Sequence, residues 1–209
     1  MEFFVIFDYI GVAAFAITGV LKGLRHKLDV FGLLVLATFT ALGGGLIRDA
    51  IFGIHPPKAF LDNGYWIIII AACVAALLLA HKFEKSRGKT RFTLDMADAI
   101  GLAAFTFIGC SVAKSLGVGA VGMVFAGVLT AVGGGVIRDL LVREIPAVLH
   151  ESVYASAALA GAICFCLMIQ FMPATPTLTV ALITFTITFS IRMCAIIFGW
   201  HLPKLNSKS

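Results

Sequence analysis

Apolar residues run through this chain in seven stretches of about twenty, parted by short polar intervals. The stretches predict helices at roughly 3 to 22, 30 to 52, 64 to 81, 95 to 114, 118 to 141, 149 to 171 and 177 to 199. A hydrocarbon layer about 30 Å thick takes about 20 residues of helix, so each can cross a bilayer. The intervals are RHKLD (Arg25 to Asp29), HPPK (His55 to Lys58), KFEKSRGKTR (Lys82 to Arg91), Ser115-Leu116-Gly117, REIP (Arg143 to Pro146) and Pro173 to Pro176, and helix is expected to break at each. Glu2 stands ahead of the first stretch and no basic segment precedes it, so Phe3 to Leu21 read as a retained span rather than a signal peptide. The predicted fold is an all-α integral membrane protein.

Composition agrees. Of 209 residues, 60% are hydrophobic and 13% charged, and mean hydropathy is +1.04. A soluble domain is about 45–50% apolar and about 25% charged, so too few charges are present to cover a surface in water. The net charge of +5 forms no continuous basic stripe, which argues against nucleic acid as a partner. Instead the basic residues report topology. Lys22, Arg25, Lys27, Lys82, Lys85, Arg87, Lys89, Arg91, Arg143, Lys204 and Lys208 fall on one side of a seven-span arrangement, against Lys58 and Lys114 on the other. The positive-inside rule then places the N-terminus outside and the C-terminus in the cytoplasm of a plasma or inner membrane.

The chain repeats itself with inverted topology. Shifting it by 90 residues lays Asp8 to Pro57 on Asp98 to Ala147 without a gap, with 17 identities in 50 positions, where this composition gives about five by chance. Asp8 meets Asp98, Gly19 meets Gly109, and TALGGGLIRD (Thr40 to Asp49) meets TAVGGGVIRD (Thr130 to Asp139). Each copy holds three spans, so the second enters the membrane from the opposite side. The division is residues 1–92 for the first repeat, 93–172 for the second, and 173–209 for a seventh helix and cytoplasmic tail.

Candidate chemistry concentrates in the doubled motif. Gly43, Gly44 and Gly45, and Gly133, Gly134 and Gly135, each fall inside a span. A glycine costs about 1 kcal/mol against alanine in a helix, so three predict a break or kink whose freed carbonyls must face protein or water. One reading is a pore-lining kink that attracts cations; the other is close packing of helices through small residues. Arg48, Asp49, Arg138 and Asp139 are intramembrane charges and so functional candidates. Depth allows Asp8 to pair with Arg48 and Asp98 with Arg138. Neighbours on a helix point about 100° apart, so Asp49 and Asp139 are expected to face away from their arginines, lining a path or capping a neighbouring helix. Structural ion pairing is the plainer reading of the same residues.

Weaker candidates remain. Thr177, Thr184 and Thr188 lie near one face of the seventh span, for satisfied packing or for hydrating a path. Arg192 either snorkels to the interface or pairs internally. Gly19 and Gly23 have the GxxxG spacing of packed helices. His55, His81, His150 and His201 sit at span ends and His26 in a basic loop, without metal-ligand spacing. Cys73, Cys110, Cys164, Cys166 and Cys194 all lie in apolar runs, which supports neither disulfides nor zinc. No phosphate loop, HExxH or convergent Ser, His and Asp set occurs, so no enzyme, cofactor or metal is predicted.

GGGLIRD (Gly43 to Asp49) and GGGVIRD (Gly133 to Asp139), in a chain of three plus three plus one spans, resemble the prokaryotic members of the trimeric intracellular cation (TRIC) channel family over roughly residues 3 to 199. They also resemble bacterial membrane proteins labelled by a glycine-transporter domain. The resemblance implies a homotrimer with one pore per subunit between the repeats, gating at glycine-kinked spans 2 and 5, and conduction of potassium or other monovalent cations. The chain lacks the long basic tail of the eukaryotic relatives, so their phosphoinositide binding is not carried over; ordinary membrane lipids at basic interfacial pockets are expected. A secondary carrier of a small zwitterion such as glycine is the alternative, since inverted repeats serve both classes.

Overall fold

The computed structural model of the chain describes residues 2–84, 87–150 and 153–200. Lys85, His201, Lys204 and Lys208 lie outside them, as do the side chains of His81, Lys82, Arg87 and Lys89. The described residues form α1 (Glu2–Arg25), α2 (Val30–Ile51), α3 (Asn63–Glu84), α4 (Arg87–Ser115), α5 (Ala120–Leu141), a single turn α6 (Ala147–His150), α7 (Ala155–Phe171) and α8 (Thr177–Phe198). A short 3-10 turn, Lys58–Phe60, lies between α2 and α3. Five helices, α1, α2, α4, α5 and α8, are long and apolar enough to cross a membrane, and α3 over Asn63–Leu78 and α7 are shorter apolar helices. All seven predicted stretches are therefore helical.

Three features differ from expectation, two of them boundaries. The interval Lys82 to Arg91 is helical up to Glu84 and again from Arg87, because lysine, glutamate and arginine are good helix formers once the chain has left lipid. The sixth helix begins at Ala155 rather than near 149. Its expected first turn is the separate α6, whose Ala147 N–H donates to the Asp139 carboxylate (3.0 Å), tying that turn to the end of α5.

The third difference concerns the glycines. Helices α2 and α5 run without a break through Gly43 to Gly45 and Gly133 to Gly135. The glycines serve a crossing instead. A Cβ on Gly44 would fall on the Thr130 carbonyl oxygen, one on Gly134 on the Thr40 carbonyl oxygen, and one on Gly133 would lie 2.9 Å from Gly44 Cα. Lipid tails give helices no hydrophobic reason to associate, so close backbone approach through small residues holds them together. Thr40 and Thr130 stay satisfied at this crossing by donating to the carbonyls of Leu36 and Ala126, both at 2.6 Å.

The crossing lies on the pseudo-two-fold axis, and the packing around it is reciprocal. Phe15 sits against Gly101 and Phe105 against Gly11, and the two rings meet edge to face at 5.2 Å. A Cβ on Gly19 would lie 2.7 Å from Ala37 Cα of α2, and one on Gly109 would press into the α5 backbone at Ala126 and Gly127. Helices α1, α2, α4 and α5 thus form the centre; α3 flanks α1 and α2, α7 flanks α4 and α5, and α8 packs on α4 and α7 outside the repeat.

Candidate functional site

The antiparallel run of α1 and α2 brings the end of one beside the start of the other. Asp8 near the start of α1 shares an end of the bundle with Arg48 and Asp49 near the end of α2, and Asp98 shares the opposite end with Arg138 and Asp139. All six are buried, none more than 7% exposed. The doubled motif therefore places a charged cluster at each end of the central four helices, here named the Asp8 end and the Lys22 end.

At the Lys22 end the expected pair is present and extended. Arg138 Nη1 donates to Asp98 (2.6 Å) and to Thr18 Oγ1 (3.0 Å), and Nε donates to Asp139 (3.0 Å). Lys22 lies 3.4 Å from Asp139 and 2.6 Å from Glu144, which also meets His26 at 2.7 Å. Partial burial of the Glu144 carboxyl raises its pKa, but hydrogen bonds from Lys22 and His26 and their charges outweigh that and hold it below the usual range.

At the Asp8 end the expected Asp8 to Arg48 pair is not formed. Asp8 Oδ2 takes Lys58 Nζ at 2.8 Å and the Tyr65 hydroxyl at 2.5 Å, while Arg48 Nε and Nη2 both turn to Asp49 Oδ1, at 2.8 and 2.6 Å. Arg48 and Arg138 thus each bond the adjacent aspartate, which corrects the expectation that those residues face apart. Cα directions 100° apart do not separate side chains of unequal length, and a guanidinium folds back across the last turn. Each aspartate also accepts a backbone N–H from the turn that follows its helix, Asp49 that of Lys58 (3.3 Å) and Asp139 that of Ala147.

Because Arg48 turns away from Asp8, a crevice opens here. The cavity measures about 30 Å³ and is lined among others by Asp8, Arg48, Asp49, Lys58, Tyr65 and, from the second repeat, Phe105 and Thr130. A water needs about 10–15 Å³ and polar partners, so the crevice can hold water down to the helix crossing. Gly45 lines it and Gly44 floors the crossing beside it; Gly43 is filled by Ile137, whose Cδ1 would be 2.5 Å from a Cβ there. The matching Gly135 faces the buried Tyr154 hydroxyl instead.

Sequence reasoning passed over Lys58, Tyr65, Lys22, Thr18 and Glu144. Lys58 left a signal: it is a charge in the first repeat whose counterpart in the second, Val148, is apolar. Among the weaker candidates, Arg192 pairs internally, donating to the Val153 carbonyl (3.2 Å) and lying 4.8 Å from the Tyr154 ring centre. Thr184 and Thr188 are fully buried and their hydroxyls have no hydrogen-bond partner among the described residues, so satisfied packing is not what they show. Thr177 is exposed. The five cysteines are free. Among the described residues no group of three His, Cys, Asp or Glu side chains is placed to hold a metal ion.

Three comparisons bear on these features. A family model described as glycine transporter matches residues 5–81 and 95–170, one block on each repeat. The UPF0126 inner membrane protein YadS of Escherichia coli K12 is 37% identical over 201 residues, covering 93% of this chain and 91% of that one. A solved structure described as giving the structural basis for conductance through TRIC cation channels superposes with a TM-score of 0.86 at 36% identity, over 98% of both chains. The TRIC trimeric intracellular cation channel orthologue of Rhodobacter sphaeroides superposes with a TM-score of 0.88 at 31% identity, over 96% of this chain and 100% of that one.

Proposed function

The chain belongs to the membrane-protein family that joins the glycine-transporter model, the UPF0126 proteins and the prokaryotic TRIC channels, and from that premise we propose that it is a monovalent cation channel, conducting chiefly potassium. Each subunit of a homotrimer has its own water path, running along the crossing of α2 and α5. One observation carries the reading: the crevice at the Asp8 end is lined by carboxylates and by residues of both repeats, and it reaches the crossing itself. Gly43, Gly44, Gly45, Gly133, Gly134 and Gly135 act here by letting α2 and α5 cross closely, so that a small shift of one on the other opens or shuts the path. Arg48, Asp49, Arg138, Asp139, Asp8 and Asp98 form the charged mouths. The Lys22 end, closed by Arg138, faces the cytoplasm of the inner membrane, in keeping with the basic residues on that side. No enzymatic step is part of this reading.

Planar-bilayer recording of the purified protein under a potassium chloride gradient tests it. Discrete current steps that reverse near the potassium potential are expected. The description of the matching family model favours one alternative, a carrier of glycine or a similar zwitterion, with a carboxylate held by Arg48 and an ammonium by Asp8. Silent bilayers together with saturable glycine counterflow in proteoliposomes would replace the channel by that carrier.

A further inference from the structure

Lys58 is held in an unusual way for a loop lysine. Its backbone is fixed, since its N–H is taken by Asp49 and the carbonyl of Ala59 accepts Trp66 Nε1 at 3.0 Å. Its side chain reaches into the crevice, where Nζ lies 2.8 Å from Asp8 Oδ2, 4.8 Å from the Phe4 ring centre and 5.6 Å from that of Tyr65. One carboxylate and two aromatic faces around an ammonium make a cation cage, with both rings inside the distance at which their quadrupoles attract a cation. Tyr65 is fixed by its bond to Asp8 and by edge-to-face contact with Tyr9 at 5.5 Å, and the Tyr9 hydroxyl is in turn held by Asp62 at 2.8 Å. The walls are therefore rigid. The occupant is less enclosed than its carboxylate, the Lys58 side chain being 36% exposed and that of Asp8 only 9%. Among the described residues nothing equivalent stands at the other end, where Val148 replaces Lys58 and Asp98 is closed by a buried guanidinium.

We propose that Asp8, Phe4 and Tyr65 form a binding site for a small ammonium-type monovalent cation, which the chain's own Lys58 ammonium fills and vacates. With Lys58 swung into solvent, the Asp8 carboxylate and the two ring faces are offered to a free cation at the mouth. The cage favours a primary ammonium over a bare metal ion, because it supplies one carboxylate and two π faces rather than a shell of oxygens. That the site lies on the permeation path rests on the channel reading; that it binds cations does not.

The test uses the whole protein in detergent, with methylammonium chloride as probe and N-methylglucamine chloride at equal ionic strength as control. Lys58→Met is expected to gain several degrees of melting temperature with millimolar to tens of millimolar methylammonium, while wild type and the double variant D8N/K58M stay flat. Lys58→Gln, whose neutral amide holds Asp8 more weakly than an ammonium does, serves if the Met variant does not fold, and is expected to respond in the same sense at higher methylammonium. In Lys58→Cys, aminoethyl methanethiosulfonate forms a disulfide with the introduced thiol and releases methanesulfinate. This restores a tethered ammonium and should abolish the response, whereas the methyl reagent should leave it; treated wild type controls for the native cysteines. A folded Lys58→Met or Lys58→Gln protein blind to methylammonium, or a response that survives in D8N/K58M, overturns the site whatever the bilayers show. A response as expected with no unitary current in any variant keeps the site and removes the channel reading.

Discussion

At the Lys22 end one arginine, Arg138, reaches Asp98, Asp139 and Thr18 at once, whereas at the Asp8 end its counterpart Arg48 reaches, among the described residues, Asp49 alone and leaves Asp8 to a loop lysine and a tyrosine. The two copies carry the same motif, so the cause lies in the residues around it. Thr18 is matched by Ile108, Lys58 by Val148, Lys22 by Val112 and Glu144 by Ile54. Each polar member of these pairs adds a bond at its own end only. The backbone crossing is symmetric and the charged ends are not: a duplicated frame is tied across by one arginine at one end and holds a crevice at the other.

The largest test of this difference is the arginine pair. Arg138→Met would leave Asp98 without its cation and Asp139 with only Lys22, both buried, and removing one partner of a buried pair costs about 3–5 kcal/mol. Arg48→Met leaves only Asp49 short of a partner, beside a water-accessible crevice, and is expected to cost clearly less. Melting of the two proteins in the same detergent checks the order; equal losses would mean that the two ends are equally closed.

Next come the glycines, which separate the symmetric part of the fold from the asymmetric part. Gly44→Ala and Gly134→Ala each drive a methyl into a backbone carbonyl of the other helix and are expected to lose similar amounts, about 1–3 kcal/mol. The third glycines should differ. A Cβ at Gly45 meets only Arg48 Nη2 at 3.7 Å, so alanine there is expected to be neutral or to stabilise by up to about 1 kcal/mol through helix propensity. At Gly135 it would lie 2.7 Å from the buried Tyr154 hydroxyl, and alanine is expected to destabilise. Single-channel recording of Gly44→Ala and Gly134→Ala should show altered open probability if the crossing also gates.

These residues show how far the sequence carries. The seven helices and the inverted repeat are legible because lipid leaves backbone groups no partner but one another, which forces long apolar runs. The pairing of Asp98 with Arg138 is legible from depth alone. Asp8 is not, because its partners sit in a loop and on α3, outside the motif, and whether a guanidinium reaches across the bundle or folds back is decided by side-chain room rather than spacing. The glycines misled for a related reason. A run of three is costly in an isolated helix, yet inside a bundle the same run lets a second helix come within contact while the helix continues through it.

A smaller effect attaches to Glu144, which has no counterpart at the Asp8 end. Its folded pKa lies below its ordinary value of 4.5, so the stability it supplies is complete above about that pH and disappears as pH falls through the folded value. The side chain is 43% exposed and screened by water, so the contribution is about 0–1 kcal/mol. Glu144→Gln is therefore expected to melt slightly lower than wild type at pH 7, with the gap closing as pH falls below 4.5. A gap that persisted in acid would place the effect in packing rather than in charge.

The smallest expected effect lies in the turns after the helices, where the two copies again differ at matched positions. Gly53 follows α2 at φ 69°, and its counterpart Arg143 follows α5 at φ 60°. Both turns close in the same way, with Ile54 N–H on the Asp49 carbonyl (2.8 Å) and Glu144 N–H on the Asp139 carbonyl (2.9 Å). A side chain in this left-handed region costs about 1–2 kcal/mol, and glycine returns about 0.5–1 kcal/mol of that through the greater freedom of its unfolded chain. Arg143 is exposed, so Arg143→Gly removes no packing and is expected to stabilise by about 0.5 kcal/mol. The reverse change, Gly53→Arg, enters open space and should destabilise by a similar amount. If Arg143→Gly instead lowers the melting temperature, the arginine is contributing to the Lys22 end through its charge, and the closure at that end extends beyond Arg138, Lys22 and Glu144 into the turn itself.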